Sequence, residues 1–318
     1  MEEHALVADG SGFIVVAVHR PHAHLLRRQL QSIRAQTLAD WTCLVGVDGE
    51  DAGAAALARA AVGNDPRFNV VEFPDNAGVY RHFERLLTFM PAGAGWVALS
   101  DQDDYWYPHK LEVLASALAA PNVAAVASRA RVVTIDGVCE GLTRRRAGGV
   151  LDMLLMNQVT GSHAAFSAGA VRGALPFPDG GPGAIHDHWL AVCAAGVGCV
   201  AQINSVLQDY VQHGANVIGE SRPPNPAKVV SLVSDGRFDI HLFVDRPWQW
   251  RSAMAQALMG RAHGLPHEAD LRSVATGRWN AELGRLLLIQ ALRRRTPFLI
   301  CLALAWGAIR HITDANPP

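Results

Sequence analysis

Residues 13–47 read FIVVAVHRPHAHLLRRQLQSIRAQTLADWTCLVGV, and this stretch decides the fold class. It begins with a compact apolar, β-branched run over residues 13–18, which predicts a strand. Leu26, Leu30 and Ile33 then recur at helical spacing, and the stretch ends in a second apolar run. The pattern therefore predicts a strand, a helix and a second strand in succession.

The same alternation continues along the chain. The predicted strands are 13–18, 41–47, 68–73 and 96–99, and the predicted helices are 25–36, 52–62 and 82–90. This order is typical of βαβ units, so we expect an α/β fold with a mixed, mainly parallel sheet and helices on both faces. Such sheets bind ligands beyond the carboxyl ends of their strands. The polar residues at those positions are His19 and Arg20, Asp48, Asp75 and Asn76, and Asp101 to Asp104.

The composition narrows the class of protein. A chain of 318 residues with 50% hydrophobic and 18% charged residues can bury a core without disulfides. Its net charge of -1 gives no general attraction for nucleic acid, which we do not expect as a partner. The five cysteines are scattered and odd in number, which favours a reducing compartment. The acidic first residues lack a signal pattern, so we expect a cytoplasmic protein.

The last hundred residues differ from the rest. Residues 220–228 are turn-rich, and helical spacing follows, so we predict a domain over 1–219 and a helical region over 220–318. Three arginines at 293–295 precede an apolar stretch over 297–309, which is shorter than the roughly 20 residues of a membrane span. The stretch is either a buried helix or an interfacial helix that contacts the inner face of a membrane.

An acidic cluster follows the strand predicted at 96–99. Residues 100–106 read SDQDDYW, and three carboxylates this close repel each other. A hard divalent cation such as Mg²⁺ or Mn²⁺ is the natural counter-charge, and alternation puts Asp101 and Asp103 on one side of an extended segment. Alternatively, Asp104 is the N-cap of a helix that begins near Pro108, but this leaves Asp101 and Asp103 unexplained.

The longer string SDQDDYWYPHKL, residues 100–111, resembles the DxD region of family 2 glycosyltransferases, the inverting enzymes of the GT-A fold, and especially of bacterial rhamnosyltransferase-like members. Similar segments follow the family's order at 29–37 (QLQSIRAQT), 76–87 (NAGVYRHFERLL), 160–167 (TGSHAAFS), 186–198 (HDHWLAVCAAGVG) and 212–219 (QHGANVIG). The resemblance covers about residues 13–219. It implies transfer of a sugar from a nucleotide-sugar donor to a saccharide or lipid-linked saccharide acceptor.

The resemblance also implies roles for single residues. Asp103 and His213 would bind the metal ion. Asp48 would accept the imide N–H of uracil or thymine, which implies a UDP- or dTDP-sugar. The remaining nucleotide-binding residues would be His19, Arg20, Asn76, Asp101 and Gln102, although the family's usual Thr-Tyr-Asn after the first strand is His-Arg-Pro here.

Asp187 matches the position of the family's general base. It opens a predicted helix, whose N-terminus stabilises the ionised carboxylate; the alternative is an N-cap without chemistry. The residues implied at the acceptor are Gly161, Ser162, His163, His188 and Trp189.

Two other functions stay open at this stage. A phosphohydrolase could hold two metals with Asp101, Asp103, His186 and His188. A non-catalytic relative could only bind a nucleotide sugar or a partner. A zinc site at His19, His22 and His24 is not favoured, since no further ligand follows at matching spacing.

Overall fold

The computed structural model describes residues 10–212 and 239–313. The strands are β1 (Ser11–Val18), β2 (Trp41–Val47), β3 (Phe68–Glu72), β4 (Ala94–Ser100), β5 (Tyr105–Trp106), β6 (Val123–Thr134), β7 (Cys139–Leu142), β8 (Ala164–Ser167) and β9 (Cys199–Gln212). The helices are α1 (Ala23–Arg34), α2 (Ala52–Val62), α3 (Gly78–Leu87), α4 (Lys110–Leu118), α5 (Val150–Leu155), α6 (Ala168–Ala174), α7 (His186–Val197), α8 (Arg246–Met259), α9 (Glu268–Ala275), α10 (Ala281–Leu292) and α11 (Phe298–Thr313).

The described strands form one mixed sheet. Their order is β3-β2-β1-β4-β8-β6-β9-β5, and β7 pairs with β6. Pairing is parallel through β3-β2-β1-β4 and between β6 and β9, whereas β8, β5 and β7 pair antiparallel. The predicted α/β class is confirmed. Parallel order is concentrated in the half of the sheet where strands and helices alternate in sequence.

Helices cover both faces of the parallel half. On one face, Ile14 and Val16 of β1 belong to the same buried cluster as Leu26 and Leu30 of α1. On the other face, α3 approaches β2 so closely that a Cβ at Gly46 would lie 2.3 Å from Leu86 Cδ2. Helices therefore pack on both faces of the sheet, as the sequence predicts. The carboxyl ends of the strands remain as the place for a ligand-binding site.

The described chain divides into two compact units. The first contains residues 10–148, 158–177 and 186–212. The second contains 239–313 together with two short segments, 149–157 and 178–185. In this second unit Arg251 Nε donates to the carbonyl oxygen of Leu155 at 2.8 Å, which ties α5 to α8. The predicted C-terminal helices are confirmed, and the predicted boundary at 219 lies outside the described residues.

No helix in the described part of the chain has both the length and the apolar character that crossing a membrane requires.

Candidate active site

The loops after β1 and β4 are joined through a reciprocal pair of hydrogen bonds. The backbone N–H of His19 donates to Gln102 Oε1 at 2.9 Å, and Gln102 Nε2 donates to the carbonyl oxygen of His19 at 3.1 Å. His19 Nδ1 lies 3.0 Å from the carbonyl oxygen of Asp48, a contact that needs a proton on Nδ1. Asn76 Nδ2 lies 3.4 Å from His19 Nε2. Four predicted nucleotide-binding residues are thus brought together at one edge of the sheet.

Asp48, which follows β2, has a buried side chain. Its side chain is 4% exposed, and its two carboxylate oxygens accept the backbone N–H groups of Ala77 and Gly78 at 2.9 and 3.0 Å. His82 Nδ1 lies 3.3 Å from the same carboxylate. Asp48 therefore holds the start of α3 in place.

The acidic cluster lies in the loop between β4 and β5. Burial, together with the negative charges of Asp103 and then Asp187, raises the pKa of Asp101 to about 7. Burial is the main cause that raises the pKa of Asp104 well above its usual value. The negative charges of Asp101 and Asp103 raise it further. The carboxylates of two sequence segments that are far apart, 101–104 and Asp187, thus act on each other electrostatically.

Asp104 is not a helix cap. Helix α4 begins at Lys110 with His109 at the N-cap position, so the N-cap hypothesis for Asp104 is wrong. Asp104 is fully buried, and its carboxylate accepts Gln208 Nε2 at 2.9 Å and the backbone N–H of Val211 at 3.2 Å. Asp104 therefore attaches the acidic loop to β9.

Lys110 is a buried lysine next to the acidic loop, and it was not among the residues predicted from the sequence. Lys110 is fully buried, and its ammonium donates to the carbonyl oxygen of Ser162 at 2.5 Å and to Gln208 Oε1. It also lies 3.7 Å from the centre of the Trp106 ring. Burial lowers the pKa of Lys110 well below its usual value, against the opposing effect of Asp104. Gln208 contacts both charged groups, so one polar network joins the acidic loop, β9 and the turn at Gly161–His163.

A sequence signal for Lys110 existed. It precedes Leu114 and Leu118 by four and eight residues, the spacing of one buried helix face. A lysine on such a face needs a partner in the interior.

Asp187 lies in the first turn of α7 and is 9% exposed. Its Oδ2 accepts the backbone N–H of Gly161 at 3.0 Å. Gly161 has little room, because a Cβ there would lie 3.1 Å from His186 Nε2 and 3.2 Å from Asp187 Cβ. His186 itself is stacked on Phe83, with ring centroids 4.0 Å apart, and burial lowers its pKa. The turn at Gly161 and the start of α7 therefore position Asp187 together.

The residues implied at the acceptor separate into two groups. Gly161 and Ser162 touch the residues of the site, since Gly161 donates to Asp187 and the Ser162 hydroxyl is hydrogen-bonded to Asp101. Trp189 is fully buried, and its indole N–H donates to the carbonyl oxygen of Ala174 at 2.8 Å. His163 and His188 are buried as well, 1% and 2% exposed. These three side chains pack in the interior, so direct contact with an acceptor is not supported for them.

Arg20 lines a cavity of about 520 Å³. The lining also includes Pro21 after β1 and Asp51, Ala54 and Leu57 of the α2 segment. Arg20 is exposed and has a positive φ of 44°, an uncommon backbone conformation for a residue with a side chain. The cavity adjoins the loops that contain the predicted nucleotide-binding residues.

The predicted metal ligands are only partly described. Asp103 is 8% exposed, whereas His213 lies outside the described residues. Across residues 10–212 and 239–313, no three His, Cys, Asp or Glu side chains are grouped so as to hold a metal ion by themselves. The four ligands of the hydrolase alternative are among the residues searched, and one of them, His186, is stacked on Phe83 instead.

The sequence model described as glycosyl transferase family 2 matches residues 13–171, half of the 318-residue chain. The chain belongs to glycosyl transferase family 2. This glycosyltransferase has its acidic loop, the loops after β1, β2 and β3 and the Gly161 turn inside the matched range, whereas Asp187 follows it. No curated protein sequence matches the chain significantly.

Solved structures similar to this glycosyltransferase have the GT-A fold. One is a mannosyltransferase from Pyrobaculum calidifontis in complex with GDP-Man and Mn²⁺, with 16% identity, a TM-score of 0.50, and coverage of 99% of this chain and 92% of that one. Another is S. aureus TarS 1-349, with 9% identity, a TM-score of 0.54, and coverage of 90% and 92%. A third is TarS 1-349 in complex with UDP-GlcNAc, with 11% identity, a TM-score of 0.54, and coverage of 89% and 92%. At these identities the likeness shows the fold.

Proposed function

We propose that this family 2 glycosyltransferase moves a sugar, with inversion, from a UDP- or dTDP-sugar to a hydroxyl group of a polysaccharide or lipid-linked oligosaccharide. The observation that carries the proposal is the hydrogen-bond network that joins Asp187 to the acidic loop. The backbone N–H of Gly161 donates to Asp187, and the carbonyl oxygen of the next residue, Ser162, accepts from Lys110, which shares Gln208 with Asp104. The negative charges of Asp103 and Asp187 also act on Asp101, as charges do at short range in a partly buried site. A donor held at the acidic loop would therefore lie within reach of Asp187.

Asp187 is the proposed general base. The acceptor hydroxyl must lose a proton as it attacks the anomeric carbon, and a carboxylate can accept that proton. The backbone N–H of Gly161 fixes one oxygen of Asp187 in the first turn of the 12-residue helix α7. The carboxylate of Asp187 would face the acceptor.

A divalent metal ion fits the acidic loop. Asp101 and Asp103 crowd negative charge, and the buried cation beneath them, Lys110, is engaged by Ser162 and Gln208. Asp103 would hold Mn²⁺ or Mg²⁺, and the donor diphosphate and His213 would complete its ligands. Such an ion stabilises the negative charge of the departing diphosphate. Mn²⁺ in the similar mannosyltransferase supports this assignment.

The nucleotide would lie against the loops after β1, β2 and β3. Asp48, His19 and Asn76 approach each other there, and Gln102 links them to the acidic loop. The cavity of about 520 Å³ beside Arg20 offers space for the base. The similar structures contain GDP-Man in one case and UDP-GlcNAc in another, so the base must be measured.

We place the reaction in the cytoplasm. All five cysteines are free in the structure, which suits a reducing compartment.

The acceptor would approach from the side of Gly161 and Ser162, next to Asp187.

Calorimetry with UDP, dTDP, GDP and CMP, each with and without Mn²⁺, tests this assignment. We expect one nucleoside diphosphate, UDP or dTDP, to bind with one metal ion per chain. Asp103→Asn should weaken metal-dependent binding about tenfold or more. Asp136→Asn, at an exposed turn, is the matched control and should bind normally.

Two outcomes favour the other functions. Two metal ions bound without nucleotide would support a phosphohydrolase and contradict the proposal. Tight nucleotide binding, with no sugar transfer and not even slow hydrolysis of the donor, would support a non-catalytic binding protein.

A further inference from the structure

Helix α11 has two apolar faces. One is buried, through Cys301, Leu304 and Ala308. The glycine at 307 allows this close packing, because a Cβ there would lie 2.6 Å from Trp248 Cβ of α8. The opposite face is exposed. It consists of Phe298, Leu302, Trp306 and Ile309, which are 62%, 48%, 48% and 46% exposed. Their spacing places them on one stripe of the helix.

The preceding helix also exposes large apolar side chains. Leu288 and Leu292 at the end of α10 are 58% and 74% exposed. Only residues 293–297 separate Leu292 from Phe298, and this connection contains three exposed arginines, 293–295. We call these leucines, the arginines and the exposed stripe of α11 the α10–α11 face.

Across most of α10, the connection and α11, the charged side chains are all of one sign. Residues 283–313 contain five arginines and no aspartate or glutamate. Three of the arginines approach an aspartate from another segment: Arg285 with Asp270, Arg295 with Asp152 and Arg310 with Asp245. Arg293 lies exposed between the leucine pair and the α11 stripe. The face thus combines large apolar side chains with cationic groups at its edge.

We propose that the α10–α11 face binds the surface of a membrane that contains anionic lipids. Amphipathic helices with aromatic and leucine side chains on one face and arginine beside it lie in the interface plane of a bilayer. Trp306 is a side chain suited to the level of the headgroups. Anionic headgroups supply the negative charge that residues 283–313 lack.

A second copy of the chain fits the face less well. A two-fold contact would pair this face with the same face of another copy, and residues 283–313 of that copy offer no acidic side chain to the exposed Arg293. The contact would therefore give Arg293 no new counter-charge, which does not favour such a dimer. An anionic lipid surface has no such conflict.

Sedimentation of the full-length chain with lipid vesicles tests the proposal. One set of vesicles contains equimolar phosphatidylcholine and phosphatidylglycerol, and the other contains phosphatidylcholine alone. We expect binding to the mixed vesicles that weakens with added salt and little binding to the neutral ones. Phe298→Ser with Leu302→Ser should reduce the affinity about tenfold or more. Arg293→Gln should reduce it about fivefold.

Matched controls separate this effect from general loss of apolar or basic groups. Phe89→Ser with Leu142→Ser removes two side chains of similar exposure elsewhere, and Arg59→Gln removes an exposed arginine of α2. Both controls should bind mixed vesicles like the unaltered chain. Equal loss in the controls, or no vesicle binding by the unaltered chain, would overturn the proposal. A dimer abolished by Phe298→Ser with Leu302→Ser, without vesicle binding, would also overturn it and identify the face as an interface between copies.

Discussion

Asp187 Oδ2 accepts the backbone N–H of Gly161 at 3.0 Å, and this bond joins the start of α7 to the turn that precedes β8. Main-chain geometry therefore contributes directly to the position of the proposed base. The glycine at 161 is part of that arrangement, because its neighbours leave no spare room for a side chain.

Gly161→Ala should lower kcat without unfolding the protein. The new Cβ would lie 3.1 Å from His186 Nε2 and 3.2 Å from Asp187 Cβ, so the turn and the base must move apart by a few tenths of an ångström. Misplacing a catalytic group by that much costs on the order of tenfold in rate. Gly173→Ala in α6, where no atom lies within 4 Å of the new Cβ, is the control in rate and melting-temperature measurements. Equal rates in the two variants would show that Gly161 does not position Asp187.

Lys110→Met should destabilise the fold by about 3–5 kcal/mol, because removing one partner leaves a buried carboxylate uncompensated. Asp104 is that carboxylate, and Gln208 connects the two groups. Asp104→Asn combined with Lys110→Met should cost less than the sum of the single variants, with a coupling of about 1–3 kcal/mol. Urea denaturation of the four proteins measures the coupling. Additive effects would mean that the lysine and the aspartate are energetically independent.

His163→Phe should make stability less dependent on pH below neutrality. His163 is buried with both ring nitrogens unpartnered, and burial, assisted by the positive charges of Lys110 and Arg145, lowers its pKa well below the usual value. The unfolded chain therefore binds a proton below about pH 6.5 that the folded chain does not, and stability falls as pH decreases through that value. The variant removes this loss. Unfolding free energies at about pH 7.5 and pH 5.5 give the slope, and unchanged slopes would contradict the assigned shift.

Sequence patterns located the parallel half of the sheet well. The predicted bounds of β2 and α2 agree with the structure at both ends, because apolar runs and alanine-rich spacing reflect local propensity and burial. The structure also brings the loop after β1 into contact with the acidic loop and with the loops after β2 and β3, as expected for the carboxyl ends of parallel strands.

Sequence reasoning was weakest where tertiary contacts decide the outcome. Asp104 resembles a cap in sequence, yet Gln208 and Val211, about a hundred residues away, bind its carboxylate. Trp189 lies beside the proposed base in sequence, but its helix turns the indole into the interior. The segments 149–157 and 178–185 join the C-terminal helices through packing that no local pattern encodes.

The rate of sugar transfer by Asp187→Asn, measured with the donor that the binding panel identifies, tests the central claim most directly. Asparagine keeps the size of the side chain and an oxygen for the Gly161 N–H, but it cannot take up the acceptor's proton. We predict that kcat falls by about 10²–10⁴-fold while the Kd of the nucleoside diphosphate changes by less than about twofold. A variant that transfers sugar at nearly the unaltered rate would contradict the assignment of Asp187 as the base.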